Sequence, residues 1–153
     1  MRMLYSTFAL GRIQLAVPIH TVLEIVRATH FHPVRGAPEL IDGLINLRGK
    51  VVAVINTGLA MGAARVEVSN ESRIYIFKNS KELQEVSDEP VDPDTSADNL
   101  GLHVDAIGPV IDVDKDELQP VPANMANPFY QHVVRRNNDF IIILKPAKAV
   151  ALA

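Results

Sequence analysis

An all-β chain is what this sequence of 153 residues predicts, and three observations carry that reading. Val and Ile recur in short blocks, the composition that suits a pleated, half-buried surface. Gly, Pro, Asn and Asp separate the blocks at short intervals, as turn residues separate strands. No helical period is sustained along the chain, so roughly ten short strands point to a barrel or a sandwich.

The elements follow in order. Leu4 to Leu10 and Ile13 to Val17 read as a hairpin with a tight turn at Gly11. Pro18 closes the second strand because it lacks the ladder N–H. Ile19, Val22, Leu23 and Val26 fall at helical spacing, which suits a short helix after Pro18, while Val22 to Val26 suits an extended segment equally. His32 to Pro38 is a loop, since each Pro drives its predecessor out of the helical region. Leu40 to Leu47 reads as a strand whose Gly43 marks a bulge or a close backbone approach. Arg48-Gly49-Lys50 then turns the chain into Val51 to Ile55, a second hairpin. Asn56 to Gly62 has the signals of one capped helical turn. Arg73 to Phe77 is a further strand. Residues 79–99 are rich in Ser, Glu, Asp, Pro and Asn and are expected to form an acidic, flexible loop. Leu100 to Val104, Ile107 to Val113, Tyr130 to Arg136 and Phe140 to Leu144 complete the strands, the last two joined by Asn137-Asn138-Asp139. No repeat of fixed length stands out, yet the halves before and after about residue 65 each carry enough strands for a small five-stranded barrel.

Composition narrows the function. Net charge is −3, so the chain lacks the basic field with which nucleic-acid binders neutralise phosphates. No Trp, three Tyr and five Phe leave few platforms for base stacking. The absence of cysteine excludes disulfides, thiol nucleophiles and thiolate metal sites. The longest apolar runs, such as Phe140 to Leu144, are far too short to span a bilayer, and Gly11 and Arg12 interrupt the first apolar stretch before a signal-peptide core can form. A cytoplasmic location is the expectation.

The reactive residues point away from an enzyme. His30-x-His32 puts two rings on one face of an extended segment, but no third ligand lies near in sequence, and no metal site is expected. His103 sits between apolar neighbours in a strand and is expected to face solvent, with His132 alternating in its own strand. No phosphate loop, serine elbow or zinc-protease pair occurs, and the acids of 79–99 read as solvated charge with ordinary acidity. Glu24 and Arg48 stand out instead. Each is embedded among apolar residues, in Val-Leu-Glu-Ile-Val and Ile-Asn-Leu-Arg-Gly, so each either alternates to solvent or finds a partner.

At these residues the chain resembles the CheW-like family. Phe8-Ala-Leu-Gly11, Val17-Pro18-Ile19 and Val22-Leu-Glu24-Ile25-Val26 are similar to the family's opening. Pro33-Val34, Ala37-Pro38 and Ile41-x-Gly43-x-Ile45-Asn46-Leu47-Arg48-Gly49 match its most recognisable segment, continued by Val51-Val52-x-Val54-Ile55. Gly101-Leu102-x-Val104-Asp105 and Pro120-x-Pro122 extend the likeness over nearly the whole chain.

The resemblance implies one CheW-like domain over residues 1–153, built as two intertwined five-stranded SH3-like β-barrels with short helices. Subdomain 1 would cover about 10–65 plus a late strand, and subdomain 2 about 70–145. It implies a non-enzymatic chemosensory adaptor without a cofactor, coupling the cytoplasmic tips of chemoreceptors to the regulatory domain of a CheA-type histidine kinase at receptor arrays near the inner membrane. The alternative is a CheW-like scaffold or signal-binding protein that no longer couples receptors. By the resemblance Glu24 and Arg48 are a structural ion pair near a hydrophobic inter-barrel groove. Val22, Gly43 and Ile74 are partner-binding or groove positions, with an exposed apolar patch expected near Val22 and Ile74. The chain departs from the family at Ala53 for Pro, Asn56-Thr57 for Asp-Leu, His132 for Gly, Ala123-Asn124 for a loop aromatic, and in a C-terminal helix reduced to residues 145–150.

Overall fold

Ten strands, two short helices and four 3-10 turns make up residues 1–86, 90–93 and 95–148, which are those the computed structural model describes. The strands are β1 (Arg2–Leu10), β2 (Ile13–Pro18), β3 (Val22–Arg27), β4 (Ile41–Leu47), β5 (Lys50–Asn56), β6 (Arg73–Phe77), β7 (Leu100–Val104), β8 (Ala106–Asp114), β9 (Tyr130–Arg136) and β10 (Asp139–Leu144). Helix α1 (Thr57–Ala60) lies between β5 and β6, and α2 (Ser80–Val86) between β6 and β7. After Pro18 both local readings hold in succession. Ile19–Thr21 form a 3-10 turn, and Val22 onward is extended.

Turn chemistry sets the hairpins. Arg48 and Gly49 both have positive φ (50° and 86°), and so do Asn137 and Asn138 (50° and 65°). Two successive left-handed residues make the turn whose twist matches that of paired strands. Asn46 Oδ1 accepts from the Gly49 N–H at 2.8 Å and braces the first of these turns.

The strands form two five-stranded sheets, ordered β8-β1-β2-β10-β9 and β3-β6-β7-β5-β4. Across each sheet the pairings read antiparallel, antiparallel, parallel, antiparallel. The two orders become one if β1 to β5 are matched with β6 to β10. The chain is thus a tandem five-strand repeat in which β3–β5 and β8–β10 have changed places between the sheets. Even the irregularities match: β4 carries an extra residue before Gly43, and β9 carries one before His132. The strands of one sheet come from residues 2–18 and 106–144, and those of the other lie between residues 22 and 104. Pairing is decided by long-range packing, which local sequence pattern does not encode.

Three apolar clusters form the core among the described residues. Alternate residues of β6 divide between two of them: Tyr75 and Phe77 join Phe8, Leu15, Val17, Leu102 and Leu144 between the sheets, whereas Ile74 and Ile76 join Val52, Val54 and Leu47 on the second sheet's other face. Tyr5, Ala16, Val113, Val134, Ile141 and Ile143 form the counterpart on the first sheet. Tyr75 links the sheets with polar contacts as well, its hydroxyl donating to Thr7 O at 3.1 Å and accepting from Ser6 Oγ at 3.2 Å.

The acidic segment is more structured than its composition suggests. Asn79 Oδ1 accepts from the Glu82 N–H and Glu82 Oε1 accepts from the Asn79 N–H, both at 2.9 Å. This reciprocal cap starts α2, so Ser80–Val86 is a helix where a loop was expected. Asn99, buried, donates to Phe77 O at 2.9 Å and to Glu82 Oε1 at 2.7 Å, anchoring the far end. Residues 87–89 and 94 of that expected loop lie outside the described residues, as do 149–153 at the C-terminus. Of the shortened C-terminal helix, Pro146–Lys148 is a 3-10 turn.

Candidate functional site

Glu24 and Arg48 meet. Glu24 projects from β3, one outer strand of the second sheet, and Arg48 stands in the turn that ends β4, the other outer strand. Arg48 Nη1 donates to Glu24 Oε1 at 3.1 Å and Nη2 to Oε2 at 2.9 Å, the two-pronged geometry that guanidinium and carboxylate favour. The hydrogen bond and charge of Glu24 push the Arg48 pKa up. With Arg48 71% exposed, the pair contributes little net stability; its effect is geometric, joining the sheet's two outer strands.

Gly43 is buried in β4, at φ +144°. A Cβ there would stand 2.5 Å from His32 O, 3.0 Å from His32 C and 3.1 Å from Phe31 Cβ. The glycine exists to let residues 31–32 lie against β4, where His32 and Leu44 exchange two backbone hydrogen bonds of 2.9 Å.

Val22, Gly43 and Ile74 do not share a surface. Val22 is half-buried and packs against the cluster between the sheets, while Ile74 is 1% exposed and belongs to the second sheet's own cluster. Val22 and Ile74 therefore do not form the shared exposed apolar patch that was expected. The cause is the two-residue alternation of β3 and β6, which pair Val22 with Phe77 and Val26 with Ile74, sending the two side chains to opposite faces.

A second correction concerns His103, which is 1% exposed and not turned to solvent. Its Nδ1 lies 2.8 Å from Asp42 Oδ2; a carboxylate only accepts, so the proton sits on Nδ1. Asp42 is the extra residue of the β4 bulge, and it also accepts from Arg65 Nη1 at 2.7 Å and from Asn56 Nδ2 at 3.0 and 3.2 Å. Asn56 completes the cluster: it caps α1 at Leu59 N and holds both backbone groups of Val66. Sequence reasoning missed this network because its members lie on four separate segments. Asn56-Thr57 and His103, both polar where strand neighbours are apolar, were the available signals.

Between the sheets lies a cleft of about 200 Å³ whose apolar lining includes Pro18, Phe77, Leu83, Leu100 and Leu144. Lys145 Nζ and Asp92 pair across it at 2.6 Å, bringing the acidic segment against the chain's end. A second opening, of about 380 Å³, separates β3 from β4 and has Ile74 and Leu47 among its lining. Among the described residues no group of three potential ligands is placed to hold a metal. His30 and His32 do come together, with ring centroids 5.2 Å apart, edge to face. No helix among the described residues is long and apolar enough to cross a membrane.

Comparison with known proteins places these features in a family context. The family model described as the CheW-like domain matches residues 4–153. The chain is 22% identical over 140 residues to the chemotaxis protein CheW of Helicobacter pylori, covering 90% of this chain and 75% of that one. It is 26% identical over 143 residues to the chemotaxis protein CheW of Treponema pallidum, covering 90% and 76%. Among solved structures, the scaffolding protein TtCheW from Thermoanaerobacter tengcongensis superposes with a TM-score of 0.80 at 26% identity, covering 97% of this chain and 92% of that one.

Proposed function

The chain belongs to the CheW-like family, and from that premise we propose that it is a non-enzymatic chemosensory adaptor coupling chemoreceptor tips to the regulatory domain of a CheA-type histidine kinase. The observation that carries the reading is the family match from residue 4 to residue 153, which takes in the Ile-Asn-Leu-Arg-Gly segment. The names of the relatives, chemotaxis proteins and a scaffolding protein, support an adaptor role. A rigid two-sheet body suits the task, because coupling needs two distinct surfaces held in fixed relation. The partners proposed carry a location with them: the cytoplasm, beside receptor arrays at the inner membrane.

Calorimetric titration of the full chain with the kinase regulatory domain, and separately with a receptor-tip fragment, tests the proposal. Saturable binding to both at micromolar strength, on the order of −8 kcal/mol, is the expected result. Binding to neither, from a sample with a cooperative unfolding transition, overturns it in favour of a scaffold or signal-binding relative that no longer couples receptors.

A further inference from the structure

The opening between β3 and β4 has features that the adaptor reading does not use. Glu24–Arg48 ties β3 to the end of β4, and His32, in the segment that follows β3, bridges to Leu44 of β4. Between these ties the two strands stand apart around about 380 Å³. Val26, Ile45, Leu47 and Ile74 make the apolar part of the lining, and the last two are core residues. Arg27, His30 and His32 supply the charged and titratable part, and no Asp or Glu among the described residues lines it. On a chain of net charge −3, that absence of acids is a local exception.

The edge of β4 adds a main-chain element. Leu44 directs its N–H and C=O away from β5, to His32. In an antiparallel ladder outward groups recur every second residue, so Asn46 presents the next such pair into the opening. Beyond the β4–β5 ladder Asn46 makes no backbone hydrogen bond among the described residues.

We propose that this opening is a docking site for an extended partner segment that carries one apolar side chain between acidic residues. The segment's backbone pairs with Asn46, continuing the short antiparallel bridge that His32 begins. Its apolar side chain enters the opening over Ile74 and Leu47, and its carboxylates face Arg27, His30 and His32. The site is separate from the cleft between the sheets and does not depend on which proteins the adaptor joins.

The probe is a blocked pentapeptide with one leucine between two pairs of glutamates, titrated into the isotope-labelled full chain and followed by amide shifts. Saturable shifts at Asn46 and along Arg27 to His32 are expected. Binding is expected to weaken at least about tenfold, or 1.4 kcal/mol, when lysines replace the glutamates, when alanine replaces the leucine, or in the Arg27→Glu, His30→Glu chain. The peptide controls need no variant, so a failure of that chain to fold does not spoil the test. Shifts centred on the inter-sheet cleft, equal binding of the lysine peptide, or no saturation at millimolar peptide would overturn the proposal.

Discussion

Gly43 lies against the carbonyl of His32 so closely that any β-carbon would stand 2.5 Å from that oxygen. The relationship changes how this glycine is read. A glycine that resemblance marks as a partner contact serves first to seat residues 31–32 on the bulged strand β4. Any side chain there displaces that segment.

Gly43→Ala is accordingly expected to cost about 1–3 kcal/mol, combining steric displacement with a backbone conformation that side chains disfavour. Urea unfolding measures the loss. Amide exchange locates it, with His32 and Leu44 expected to lose protection ahead of the β6–β7 ladder.

Arg48→Ala should behave differently. The pair with Glu24 is exposed, so the unfolding midpoint should stay near that of the parent chain. What changes is the tie between β3 and β4, so partner affinity in the calorimetric titrations should fall by more than stability does. A double-mutant cycle with Glu24→Ala checks that the two side chains act as a unit.

The Asp42 cluster makes the opposite prediction. Its carboxyl is 8% exposed and holds Arg65, Asn56 and His103 at once. Asp42→Ala strands the buried His103 Nδ1–H, whereas Asn56 keeps Val66 O and the partly exposed Arg65 keeps Glu39 O, so a loss of about 1–3 kcal/mol is expected. His103→Phe, which removes a single donor of the set, should cost less. Denaturant unfolding ranks the two.

Tyr75→Phe deletes the hydroxyl that meets Ser6 and Thr7 across the inter-sheet layer. Burial holds the Tyr75 pKa above its ordinary value, so the group is a neutral donor under working conditions. Its removal should cost about 1–2 kcal/mol, read from thermal or urea unfolding.

Acid sensitivity can be assigned in part to Glu82. Burial alone would raise its pKa, but the Asn79 N–H, the Asn99 amide, Lys50 and Lys78 together bring it below its ordinary value. A carboxyl depressed in the folded state stabilises above its unfolded pKa, and the gain disappears as pH falls through the folded one. The melting-temperature gap between the parent chain and Glu82→Gln should therefore be widest above pH 4.5 and shrink with acidification. A gap independent of pH would contradict the assignment.

Sequence alone determined a good deal here. The strand blocks, the two-residue turns at Arg48-Gly49 and Asn137-Asn138, the bulge at Gly43 and the cap at Asn56 are local features, set by φ preferences and two-residue alternation. The family segment from Ile41 to Gly49 was equally legible, because its residue types are specific in order. The reciprocal cap of Asn79 and Glu82 was present in the sequence too, masked by the acidity around it. Tertiary structure decided the rest. Which strands pair, and hence the exchange of β3–β5 with β8–β10, depends on contacts between residues as distant in the chain as Gln14 and Ile141. The burial of His103 depends on Asp42, 61 residues away. The opposite faces taken by Val22 and Ile74 depend on register across β3 and β6. Local pattern determines what each segment is, whereas the free energy that selects partners for it comes from surfaces buried only when distant segments meet.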